Sequence, residues 1–258
     1  MRDGDPGAVI DADLIPPVEM LFDGSSSAEE FVTLGENFCR YILIPRAQLP
    51  ATASFLDLGC GNGSVARALT RYLQPPARYE GIDVNPAAIE WLSDRYRDYP
   101  GFRFTHADVW NKMYNPGGRV KGGDYRLPFA DGSFDMVLLK SVFTHMVPID
   151  LRAYLAEITR VLKPGGRSVI TYFLLNDESR WFIERGLDVH KVVHPYQGDP
   201  LCRVADPQVP ESVVAHDEQR IRRHYSEVGC TLSEVVYGAW CGRPSLLGHQ
   251  DLVIAIRR

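Results

Sequence analysis

No stretch of this sequence approaches the roughly 18 consecutive apolar residues that a membrane-spanning helix needs, so no membrane association is expected. Basic clusters are equally scarce. No run of lysine and arginine exceeds the pairs Arg222-Arg223 and Arg257-Arg258, and the formal net charge is −5. With no basic surplus to neutralise phosphates, nucleic acid is not an expected partner. The five cysteines, Cys39, Cys60, Cys202, Cys230 and Cys241, are odd in number, scattered, and contain no C-x-x-C pair, which argues against a disulfide framework and a zinc ribbon. Residues 1–17 lack the basic and apolar regions of a secretory leader, so a reducing cytoplasm is the expected setting.

What the chain does contain is a regular alternation. Its 258 residues, 45% hydrophobic, suffice for one domain with a sizeable core, expected over residues 27–258 behind a flexible N-terminal segment, 1–26. Apolar residues from 28 to 44 recur at three- and four-residue spacing and predict a leading amphipathic helix. Short apolar runs at 54–58, 79–82, 102–105, 134–139 and 168–173 then read as buried strands. Helices are expected between them at 64–73, 86–97 and 151–162, the last capped by Asp150 and stopped by Lys163-Pro164-Gly165-Gly166. A helix at 217–228 and strands at 232–237 and 251–256 would close the domain. Such alternation implies βαβ units, a largely parallel sheet covered on both faces, and a ligand beyond the carboxyl ends of its strands. Two stretches break the pattern, residues 111–126 and 176–216, and both are long enough to be functional lids.

The first strand ends in Asp57-Leu58-Gly59-Cys60-Gly61-Asn62-Gly63, whose glycines permit a tight turn and close approach of a ligand to the main chain. Asp83 follows at the tip of the second strand, where a carboxylate can accept both hydroxyls of a ribose. Asp108, after the third, could accept from an adenine amino group. A nicotinamide or flavin dinucleotide is the main rival, but its G-x-G-x-x-G pattern requires glycine at position 64 and finds Ser64. Asp57 would also repel a pyrophosphate and attract a ligand carrying an ammonium and a sulfonium.

As a set these residues resemble the class I methyltransferases across about residues 50–175. Asp57 to Gly63 is similar to their first motif, Asp83 to their ribose-binding acid and Asp108-Val109 to their adenine-contacting pair. The run from Leu127 to Asp135 resembles the approach to their fourth strand, and Arg160 to Gly166 the turn before their fifth. The resemblance implies a Rossmann-like three-layer αβα sandwich, a seven-stranded, mostly parallel sheet with an antiparallel last strand, and S-adenosylmethionine as methyl donor. It assigns cofactor binding to Asp57, Gly59, Cys60, Gly61, Gly63, Asp83, Val84, Asp108, Val109 and Lys140. Tyr114-Asn115-Pro116, the run Ser141 to Met146, Trp240-Cys241-Gly242-Arg243 and Gln250-Asp251 resemble a bacterial subgroup associated with small-molecule or sugar methylation.

Methyl transfer is an in-line displacement at an already activated carbon, so alignment of the reactants is the protein's chief contribution. A hydroxyl acceptor also benefits from a positioned base. His145, after the fourth strand, is the candidate, since an imidazole is largely neutral at pH 7; a histidine merely packed under a lid is the alternative. Tyr114, Asp124 and Tyr125 are candidate acceptor-binding groups, or plain surface residues of the first insert. Trp240 and Arg243 are further candidates, unless they only pack the closing hairpin. His190 and His194 could share a helix face, but Pro195 and the lack of a companion ligand argue against a metal, and none is expected. The expected activity is methylation of a small molecule, on the oxygen of a sugar or glycosylated metabolite, with N- or C-methylation and a non-catalytic cofactor-binding module as alternatives; a homo-oligomer is possible.

Overall fold

The computed structural model describes residues 12–22, 24–245 and 248–258. In chain order its elements begin with α1 (Ala28–Phe38), extended by a wider turn over Cys39–Leu43, then β1 (Ser54–Leu58), α2 (Ser64–Leu69), β2 (Arg78–Asp83), α3 (Pro86–Arg95) and β3 (Phe102–His106). They continue with β4 (Phe134–Leu139), α4 (Pro148–Val161), β5 (Leu162–Tyr172), β6 (Leu174–Leu175), α5 (Asp177–Glu184), β7 (His194–Tyr196) and β8 (Asp199–Val204). Last come β9 (Val214–Asp217), α6 (Glu218–Glu227), β10 (Cys230–Val236) and β11 (Asp251–Arg257).

Seven strands form one sheet in the order β10-β11-β5-β4-β1-β2-β3. β1 to β5 pair in parallel, and β11 runs antiparallel to both neighbours. The central strands are apolar at nearly every position because both faces are covered. Met136 and Leu138 of β4 join Phe55, Leu69, Ile89 and Leu92 in one core, on the side of α1, α2 and α3. Val137 and Leu139 join Leu56, Leu155, Ile158, Ile221 and Tyr225 in the other, beneath α4 and α6. This is the expected three-layer sandwich. β1 connects onward to β2 on one side and lies beside β4 on the other, so the strand order reverses there and opens a crevice at the carboxyl ends. No helix of the described residues is long and apolar enough to cross a membrane.

Four local expectations are corrected. Residue 150 does not cap α4: Val147 is the N-cap and Pro148 opens the helix, its fixed φ suiting the first position, so Asp150 lies inside the first turn. Lys163 to Gly166 bulge out of β5, where Leu162 pairs with Phe134 and Arg167 with Met136. The stretch 176–216 carries α5 and three strands that join β6 in a second sheet, β6-β9-β8-β7. Its hairpin turns on Gln197-Gly198, both at positive φ (49° and 81°), which matches strand twist in a two-residue loop. Finally, part of the segment ahead of α1 packs on the domain: Leu14 is 1% exposed within the core on the α1 side, and the Phe22 ring lies 5.3 Å from that of Tyr114. Residues 1–11 of the expected flexible segment lie outside the described residues.

Candidate active site

At the carboxyl ends of β1, β2 and β4 lies a cavity of about 870 Å³. Its floor is the turn after β1. Gly59 has φ of +86°, and a Cβ there would sit 2.3 Å from Cγ2 of Val142, so only glycine fits between the turn and the end of β4. The N–H groups of Gly59 and Cys60 donate to the carbonyl of Ile82 at 2.7 and 3.0 Å and fasten the turn to β2.

Two carboxylates stand on this floor. Asp57 is 2% exposed and accepts the Tyr79 hydroxyl at 2.6 Å. Burial pushes its pKa up to about 7, against the opposing pull of the Tyr79 bond and the Lys140 charge. No described cation lies within ion-pairing distance of it. Asp83 accepts the N–H of Gly61 on one oxygen and that of Asn85 on the other, each at 2.8 Å. Burial raises its pKa too, partly countered by those donors. A third backbone donor, Val84, also reaches the carboxylate, which keeps acceptor capacity for a ligand.

Cys60, Val84, Val109 and Lys140 line the cavity, together with Gly59 and Gly61. Gly63 stands back from the wall as the left-handed N-cap of α2. Asp108 is turned away: Ala107 and Val109 face the cavity, while the Asp108 carboxylate accepts from Nε and the backbone N–H of Arg119. The bond from Arg119 holds its pKa below the usual carboxylate range.

At the other end, His145 lines the wall, its Nδ1 2.9 Å from the backbone carbonyl of Glu211. Tyr114 also lines it. The remaining acceptor candidates do not reach the cavity. Asp124 is set back from the wall, and Tyr125 packs on the core with its ring 6.4 Å from that of Tyr154. Trp240 is 0% exposed, packed with Phe173, Ile183 and Val192, and its Nε1 donates to Asp251 at 2.7 Å. Arg243 lies over the Tyr237 ring at 4.8 Å, with Nε donating to Cys241 Sγ. Arg243 also pairs with Glu178 of α5 at 3.5 Å, so both residues tie the closing hairpin to its neighbours. His190 and His194 share no helix; Nε2 of His190 lies 2.7 Å from Nε2 of His249.

Sequence reasoning missed Phe22, Trp110, Lys112, Asp150, Tyr154, Glu211 and Gln250, all on the wall. Only Asp150 and Tyr154 carried a usable signal, the four-residue spacing that puts two polar groups on one helix face.

Residues 56–170 match the family described as a methyltransferase domain. The phthiotriol/phenolphthiotriol dimycocerosates methyltransferase of Mycobacterium tuberculosis is 40% identical over 111 residues, covering 43% of this chain and 34% of that protein. A fatty-acid O-methyltransferase of Mycolicibacterium smegmatis is 34% identical over 122 residues, 47% of this chain and 36% of that one. The chain thus spans about a third of the length of the curated relatives it matches. Among solved structures, a SAM-dependent methyltransferase from Methanosarcina mazei is 21% identical, with a TM-score of 0.54 over 84% of this chain and 97% of that one.

Proposed function

We propose that this chain, which carries a class I, Rossmann-like S-adenosylmethionine-dependent methyltransferase domain, methylates the oxygen of a hydroxylated small molecule. The observation that carries the oxygen reading is the contact of His145 Nδ1 with the Glu211 carbonyl. A backbone carbonyl only accepts, so Nδ1 of neutral His145 holds the proton donated to Glu211 and Nε2 keeps its lone pair. No described residue bonds to Nε2, which leaves it available to take a proton from a hydroxyl.

S-adenosylmethionine, when bound, supplies a methyl carbon activated by a positive sulfur. The residues present fit it. Asp57 is a buried carboxylate without a cationic partner, suited to the ammonium of the methionine part. Asp83, its oxygens oriented by Gly61 and Asn85, suits the ribose hydroxyls. Gly59, Cys60 and Gly61 expose backbone beside them, and Val84 and Val109 offer apolar wall for the base. Lys140 acts on Asp57 only through its charge from beyond ion-pairing distance, and Asp108 is held by Arg119. Tyr114 and the N-terminal Phe22 close one side against water.

The O-methyl transfer named for the Mycolicibacterium relative supports oxygen over nitrogen or carbon. Within that class the acceptor proposed is a sugar or glycosylated metabolite, which the polar residues Asp150, Tyr154, Glu211 and Gln250 on the same cavity lining as His145 support. The test is His145→Ala. Cofactor affinity by calorimetry should stay nearly constant while turnover falls about 10²–10⁴-fold, the usual worth of a positioned base. A variant that keeps full turnover would refute the assignment.

A further inference from the structure

We propose that Asp150 and Tyr154 form an acceptor subsite that binds a second hydroxyl next to the one methylated, so that the enzyme selects vicinal diols over simple alcohols. The inference rests on the oxygen-transfer reading above. Asp150 is the third residue of α4 and Tyr154 follows one turn later, so both side chains leave the same face. Both line the cavity alongside His145.

The Asp150 carboxylate has a built seat. The first insert lays Gly122 and Gly123 directly on it: a Cβ at Gly122 would lie 3.0 Å from Cγ of Asp150, and one at Gly123 3.1 Å from its Oδ1. Any side chain at either position would press on the carboxyl group. The Gly123 N–H donates to the carboxylate, fixing its orientation and leaving further lone pairs unused. Nothing among the described residues neutralises it. No described cation lies within ion-pairing distance, and the charged groups that face it are Glu211 and Asp124, both acids. Partial burial and these two neighbours raise its pKa.

Tyr154 completes the pair. Its hydroxyl makes no bond to any described residue, and its ring is held against that of Tyr125. A fixed carboxylate, a phenol that can donate or accept, and the imidazole that takes a proton together match two adjacent hydroxyls. A simple alcohol would satisfy His145 and leave Asp150 desolvated with only the Gly123 donor. Sites built to bond a hydroxyl reject analogues lacking it for this reason.

The test compares cyclohexanol, cis-1,2-cyclohexanediol and trans-2-aminocyclohexanol as acceptors, with release of S-adenosylhomocysteine as the readout. The expected result is a kcat/KM for the cis-diol about ten- to a hundredfold above that for cyclohexanol, carried mainly by KM. In Asp150→Asn the ratio should collapse toward one while cofactor affinity holds. Gly122→Ala, which leaves every wall side chain intact and only disturbs the seat, should lower the same ratio. Equal wild-type values for alcohol and diol, or a ratio that survives both substitutions, would overturn the subsite and leave the oxygen reading standing. A preference for the amino alcohol would mark an ammonium site and overturn it as well. If cofactor binds but no hydroxyl in the series is methylated, the oxygen reading itself fails and the subsite falls with it.

Discussion

Replacing Asp57 by asparagine should stabilise the free protein and weaken its hold on the cofactor. In the folded chain the Asp57 carboxyl is lifted from an ordinary 3.8 to about 7 by burial. At about 1.36 kcal/mol per pH unit, this corresponds to roughly 4 kcal/mol of folding free energy, an upper figure for a group that also holds the Tyr79 bond. The sign follows from where the protons sit. The unfolded chain loses its proton near 3.8 and the folded chain only near 7, so stability falls as pH rises between these values and stays low above them. The Asp57→Asn variant carries no charge at this position and keeps an oxygen for Tyr79. It should melt several degrees higher at pH 8 than the wild type, with little difference near pH 4. Cofactor binding should respond in the opposite direction. If the ionised carboxylate meets the cofactor's ammonium, wild-type affinity should drop about tenfold per pH unit below 7, because only the ionised fraction binds. The asparagine variant should bind weakly and lack this slope. Calorimetric titrations at about pH 5.5 to 7.5 and melting curves at about pH 4 and 8 read both effects. A wild-type dissociation constant flat across that range, or an asparagine variant that binds as tightly, would show that the ammonium sits elsewhere.

Asp83→Ala should weaken S-adenosylmethionine by roughly tenfold to a hundredfold in calorimetry, since two ribose hydroxyls lose an acceptor worth about 1–3 kcal/mol in a desolvated site. An unchanged constant in a folded variant would place the ribose away from β2. Trp240→Phe removes the donor to the buried Asp251 carboxylate and should cost about 1–3 kcal/mol in urea unfolding. Cofactor affinity and turnover should be untouched, whereas a loss of acceptor binding would restore Trp240 to the site. In wild type, burial pushes the Asp251 carboxyl up to about 6, so stability from this group falls as pH rises from 3.8 through 6.

The sheet was legible because its signals are local. Runs such as 54–58 and 134–139 match β1 and β4 at both ends, since a strand buried on both faces must be apolar at nearly every position. The cofactor floor was legible for a related reason. A glycine turn at a strand end and an acid at the tip of the next strand are fixed by chain geometry, and parallel pairing of β1 with β2 brings the Gly61 N–H to the Asp83 carboxylate. The second sheet was not, because β6 to β9 hold two to six residues each, too few for a period to stand out, and Pro195 and Pro200 mask the hairpin.

The sequence by itself determined which residue types were available and where the strands end, and with them the cavity floor. It could not determine direction. Trp240 and Arg243 point into the hairpin, Asp108 turns to Arg119, and Tyr125 stacks on the core, because each found a partner on another element or further along the chain. Asp150 looked like a helix cap until Pro148 moved the helix start back and the glycines of the first insert came to rest on its carboxylate. Whether a polar side chain caps, packs or faces a ligand depends on which distant element folds against it, and only the tertiary structure decided that.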